Sequence, residues 1–71
     1  MHYFVICVDN SDYKASLETR KIYERILDSE AEKKGFMRVV DESGDDFLFP
    51  KSLFLEISLS DAVANRVAAI V

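Results

Sequence analysis

Apolar and polar positions alternate in blocks along the chain, and the blocks differ in period. Residues 2–8, HYFVICV, form an apolar run rich in β-branched and aromatic types. Its length and composition predict a strand buried on both faces, or one closing a small barrel. Asp9-Asn10-Ser11-Asp12 ends it with residues that bond their own backbone and mark a turn. Farther on, Phe36 to Asp41 alternates, with Phe36, Arg38 and Val40 on one face and Met37, Val39 and Asp41 on the other. Ser43-Gly44 supplies a turn in which glycine meets no Cβ penalty at positive φ, and Phe47-Leu48-Phe49 returns. Pro50 stops that strand because it cannot donate a ladder hydrogen bond. Segment 38–50 is therefore a β-hairpin, with Val39, Phe47 and Phe49 as core residues. Lys51 to Phe54 makes a short turn of 3-10 type, and Leu55-Glu56-Ile57 a brief last strand.

Residues 13–35 support two readings. As a helix, Ser16 caps the start, Glu18 lies in the first turn, Lys33 and Lys34 lie in the last, and Gly35 takes the left-handed position beyond it. Ile22, Tyr23, Ile26 and Leu27 then share a face, and Glu30 pairs with Lys34. As a strand, Lys21 to Leu27 sets Ile22, Glu24 and Ile26 against Tyr23, Arg25 and Leu27, and 28–35 is a loop with a helical turn. Periodicity does not decide between them, and local propensity favours the helix. The tail is a clearer helix: Ser60 caps it, Asp61 suits its first turn, and Val63, Val67, Ile70 and Val71 recur at i, i+4, i+7 and i+8.

At 71 residues the chain is one small domain, a size that buries only about 60% of its unfolded surface. The formal charge of −4 equals the whole cluster Asp41, Glu42, Asp45 and Asp46, while the basic residues are scattered. Phosphate-backbone binding draws on clustered Lys and Arg, so nucleic acid is a poor expectation. A single cysteine, Cys7, excludes an internal disulfide, fits a reducing compartment, and with His2 alone falls short of the roughly four ligands of a zinc set. The first apolar run is too short for a membrane span or signal peptide, and no basic residues precede it. A soluble cytoplasmic protein is expected, with no membrane partner.

Chemistry-bearing residues are few. The acidic cluster lacks the D-x-[DN]-x-[DN]-G spacing of a calcium loop, so it reads as a solvated turn that keeps strands from pairing wrongly. Cys7 and His2 lie five apart on one strand and face opposite ways, which does not suit a thiol nucleophile and its base. Only two glycines occur, far apart, so there is no phosphate loop. No catalytic residue, metal site or cofactor is expected. Most aromatics read as core, but Tyr13 sits between Asp12 and Lys14 in a polar loop, either as an exposed contact residue or as an anchor of that loop. The apolar stripe of the tail helix either covers one end of the domain or pairs with a second copy.

Three segments, VICVDNSDYKASL, RKIYERI and RVVDESGDDFLFPKSLF, occur in an order that resembles a group of small bacterial and phage proteins. Their pattern is CIDN-x-x-Y, then a K-x-Y strand, then a DESGEDYLYP-like hairpin and a trailing Phe. The likeness covers roughly residues 5–57, and the hairpin and CVDN segments are its more specific parts. Two positions depart from it: Asp28 stands where a Pro often follows the second strand, and Arg20 where a Gly often precedes K-x-Y. The resemblance implies five short strands in an SH3-like barrel, with 9–20 as a long first loop, 28–35 as the second, and the acidic turn as the distal hairpin. SH3 domains that hold proline-rich peptides use a groove of Tyr and Trp. This chain has no Trp, and Leu53 falls at the groove Tyr position, so PxxP recognition is not expected.

The expected fold is mainly β: a small five-stranded SH3-like barrel over about 2–58 with a C-terminal α-helix over about 60–70, all within a single domain 1–71. The alternative is α+β, in the order β-α-β-β-α. The expected function is a non-enzymatic protein-interaction module that binds an unknown protein partner through Tyr13, Asp9 and Asp12. The alternative is a structural protein that forms a homodimer through its C-terminal helix.

Overall fold

In the computed structural model, which describes residues 2–70, the first apolar run becomes β1 (Tyr3–Cys7). It is followed by β2 (Ile22–Ile26), α1 (Ser29–Lys33), β3 (Phe36–Val40), β4 (Asp46–Pro50), a 3-10 turn (Lys51–Leu53), β5 (Phe54–Ile57) and α2 (Asp61–Ala68). The five strands make one antiparallel sheet in the order β4-β3-β2-β1-β5. The fold is thus mainly β with a C-terminal helix.

The register explains which residues are core. Val5 lies opposite both Tyr23 and Glu56, Cys7 opposite Phe54, Arg25 opposite Val39, Val39 opposite Phe47, and Met37 opposite Phe49. Opposite residues share a face, so these side chains line one concave side. There Val5, Cys7, Tyr23, Met37, Val39, Phe49, Leu53 and Phe54 form the buried cluster. Leu17, from the loop 9–20, completes its cover.

A flat sheet of this order would hold β4 and β5 about 19 Å apart, four spacings of roughly 4.8 Å. Yet the rings of Phe49 and Phe54 meet edge to face at 6.1 Å. The sheet therefore curls strongly on itself, and the 3-10 turn bridges its two edge strands. It does not close into a barrel, because β4 and β5 share no ladder.

The helical reading of 16–34 is overturned. Ile22–Ile26 is a strand because β1 and β3 pair with it on both sides and Tyr23 is buried in the core. Tertiary pairing outweighs a weak local preference. The helical signals belong to the short α1 instead. Its cap is Asp28 rather than Ser16: the Asp28 carboxylate accepts from the Ala31 N–H at 3.1 Å. Gly35, at φ +87°, ends it as expected, while Glu30 pairs with Lys33, not Lys34, at 3.6 Å.

The two departures from the resembled pattern acquire local explanations. Asp28 caps α1 and also accepts from Arg38 at 3.0 Å. Arg20 adopts φ +69°, the left-handed region, where the pattern carries glycine.

One further expectation fails. Phe47 is 50% exposed, although its face is the core face: it stands near the outer end of edge strand β4, which has a neighbouring strand on one side only, and the buried cluster includes Phe49 but not Phe47. On α2, capped by Ser60 as expected, Ala64 is the buried residue, while Val63 and Ile70 are exposed and Val67 is half-buried. Val71 lies outside the described residues. Among those residues, no helix is long and apolar enough to cross a membrane.

Candidate functional site

The loop 9–20 is held by its own backbone. Asp9 accepts from the Ser11 N–H at 3.0 Å and its hydroxyl at 2.5 Å, which holds the carboxyl below its usual range. The Tyr13 N–H bonds the Asn10 carbonyl at 2.8 Å, and the Tyr13 carbonyl accepts from Ser16 and Leu17 at 2.9 Å. The Asn10 side-chain amide donates to the Leu17 carbonyl at 2.8 Å. Such local bonds are what Asx residues offer a turning backbone.

Tyr13 is half-buried, with its ring edge-on to Phe49 at 5.3 Å. It is the anchor of its loop, and its remaining surface borders a shallow depression of about 260 Å3. Tyr13, Ser16, Asp41, Phe47, Leu48 and Phe49 line it. Asp9 and Asp12 are exposed on the same loop but not among its lining. Among the described residues, no hydrogen bond or ion pair engages the Asp12 carboxylate. The Glu42 N–H donates to the Ser16 carbonyl at 3.1 Å, which ties the loop to the hairpin turn.

The acidic turn is largely committed to the protein itself. Asp41 is buried and accepts from the Ser43 N–H at 2.8 Å and hydroxyl at 2.5 Å. Asp46 accepts from Arg38 at 2.9 Å. Glu42 accepts from Lys21 at 2.8 Å and from the Tyr23 hydroxyl at 2.5 Å, and both bonds hold its carboxyl below the usual range, Lys21 contributing most. The Tyr23 ring is fully buried, and its hydroxyl accepts from the Glu18 N–H at 2.7 Å. Burial, then the Glu42 carboxylate, pushes its pKa well up. A second depression of about 270 Å3, lined by Lys21, Tyr23, Glu24, Val40, Asp41, Glu42 and Gly44, adjoins the first through Asp41. Among the described residues, no three His, Cys, Asp or Glu side chains converge as a metal site needs.

Cys7 and His2 are engaged separately. Cys7 is buried, its thiol donating to the Asp9 carbonyl at 3.4 Å, and burial raises its pKa. The His2 ring bonds Glu24 at 3.0 Å. Leu53 is buried in the core.

No protein family, curated protein or solved structure matches the chain. The site is defined by its own geometry: an apolar notch beside a partly neutralised acidic turn. Sequence reasoning named Tyr13 but missed the surface role of Phe47, the Tyr23–Glu42–Lys21 network and a second cluster, in which Arg25 bonds both Glu32 and Glu56. The one available signal was the alternation Lys21, Tyr23, Arg25, which sets polar groups on a strand face that must meet the core.

Proposed function

We propose that the chain is an SH3-like barrel protein acting as a non-enzymatic protein-interaction module in a reducing, cytoplasmic setting. The strand order, with β1 between β2 and β5, and the 3-10 turn joining β4 to β5 support the SH3-like assignment. The buried, unpaired thiol supports the compartment. The observation that carries the function is the half-exposed Phe47 beside the half-buried Tyr13, with acidic residues around them. Aromatic side chains that a small domain leaves in a notch supply contact area at little entropic cost.

In this reading Tyr13, Phe47 and Leu48 supply the apolar contact, while Asp9 and Asp12 steer the partner. The test is a pull-down from the source organism with wild type, Phe47→Ser, and the pair Asp9→Asn, Asp12→Asn. Phe47→Ser is expected to lose a specific protein partner while folding normally. Retention of every partner by both variants rules the surface out. A second reading, self-association through α2, is favoured by Val63 and by Ile70, which is 84% exposed. Light scattering that gives a monomer at all concentrations for wild type removes it.

A further inference from the structure

We infer that the free edge of β4 accepts an extended, basic segment of the partner as an added strand; this rests on the interaction-module reading above. β4 is the outermost strand of the sheet. The bonds at its two ends show which backbone groups turn outward. The Asp41 N–H bonds the Asp45 carbonyl, and the Lys51 N–H bonds the Gly35 carbonyl, each at 3.0 Å. In the β3–β4 register, Val39 with Phe47 and Met37 with Phe49 are the pairs of that same parity. Bonded pairs alternate along an antiparallel ladder, so Phe47 and Phe49 turn their N–H and C=O groups toward β3. Asp46 and Leu48 turn theirs to the open edge. Among the described residues, no turn, loop or cap bond reaches those groups.

An unpaired edge is a template for another chain unless it is protected. Here it is furnished instead. The notch beside Tyr13 is lined by Phe47 and Phe49 from one face of β4 and by Leu48 from the other, so it straddles the edge itself. A partner residue opposite Leu48 exchanges both backbone bonds with it. Its two neighbours then fall opposite Phe47 and Phe49 on the inner face, and the one opposite Phe47 enters the notch beside Tyr13. The ladder ends at Pro50, which has no N–H to give.

Charge selects the occupant. The turn carries Asp41, Glu42, Asp45 and Asp46, of which Lys21 and Arg38 neutralise Glu42 and Asp46, and the loop adds Asp9 and Asp12 against Lys14. A cationic residue at the Asp46 end of the edge is favoured by the neighbouring Asp45, which is exposed and whose carboxylate no ion pair engages among the described residues. A second copy, with its own net charge of −4, is repelled.

The probe is the capped pentapeptide Lys-Val-Thr-Val-Lys, titrated into 15N-labelled protein. In the matching register its valines fall opposite Phe47 and Phe49, and one lysine falls opposite Asp46. Binding is expected with the largest amide shifts, and slowed hydrogen exchange, at Asp46 and Leu48. N-methylation of the threonine amide, or Leu48→Pro in the protein, weakens it about tenfold, because each removes one ladder bond. Proline is tolerated on an outward edge position, and the peptide analogue tests the reciprocal bond of the same residue pair, threonine N–H to Leu48 C=O, without altering the protein. Replacing both peptide lysines by glutamate abolishes binding. Equal affinity for the N-methylated peptide overturns the inference. Shifts confined to residues 9–20 overturn it while leaving the interaction module intact. Binding of no peptide overturns it without touching the pull-down result. Concentration-dependent shifts at Leu48 without peptide also overturn it, in favour of a second copy.

Discussion

Replacing Arg20 with glycine should make the protein more stable, although it deletes a whole side chain. Arg20 sits at φ +69° between the loop and β2, and its N–H donates to the Cys7 carbonyl at 2.7 Å, extending the β1–β2 ladder. That bond fixes the backbone in the left-handed region. Its side chain is exposed and, among the described residues, joins no hydrogen bond or ion pair, so removing it forfeits little. An L-residue in that region costs about 1–2 kcal/mol. Glycine avoids this but adds roughly 0.5–1 kcal/mol of unfolded-chain entropy. The difference is a gain of about 0.5–1 kcal/mol, against a total of roughly 4–10 kcal/mol for a domain of this length. In urea the midpoint should rise by about 0.5–1 M, and in a thermal melt by roughly 3–6 °C. Arg20→Ala keeps the Cβ and is the control, expected to stay within about 0.5 kcal/mol of wild type. An Arg20→Gly variant no more stable than Arg20→Ala refutes the reasoning.

Acid should destabilise the fold: Asp28 is held below its ordinary value by the Ala31 N–H and Arg38, Glu32 by Arg25, and Glu42 by Lys21 and Tyr23. Groups with depressed folded pKa values contribute fully above the ordinary carboxylate range, so the urea midpoint should be flat above about pH 6 and fall steadily from about pH 5 downward; a midpoint that rises or stays level on acidification contradicts this, and Glu42→Gln should flatten the slope. Tyr23→Phe removes the hydroxyl and leaves the Glu18 N–H without its acceptor and Glu42 without one donor, and should cost about 2–3 kcal/mol by denaturant unfolding. A loss under about 0.5 kcal/mol would show that the network adds nothing to stability.

The strands were legible wherever burial is one-sided or complete, because a period of two survives any local preference. That is why β1, β3, β4 and β5 emerge from the pattern within a residue or two. Segment 16–34 was not, because its helical cues are genuine: Lys33, Lys34 and Gly35 do end a helix, only one that Asp28 caps. What decides Ile22–Ile26 is the presence of an unpaired strand on either side, and no local window contains that. Phe47 misled for a related reason. Parity gives its face correctly, but the exposure of a residue at a sheet corner depends on what covers the corner. Of the site residues, Tyr13 was visible through its polar neighbours. The notch was not, since Phe47, Leu48 and Asp41 lie about thirty residues away in sequence and reach the loop only through the curl of the sheet and the Ser16–Glu42 bond.

The pairing of β1 with β5 also shapes how the protein is made. Residues Phe4–Cys7 take their second ladder from Phe54–Ile57, about fifty residues downstream. At roughly 5–20 residues per second, ribosomal synthesis leaves an interval of about 3–10 s in which β1 has emerged but that partner has not. Throughout it, one flank of the most apolar strand in the chain lies open, and neither the preceding hairpin nor α1 can cover it. Until β5 arrives at most four of the five strands can pair, and that margin of β1 has no neighbour.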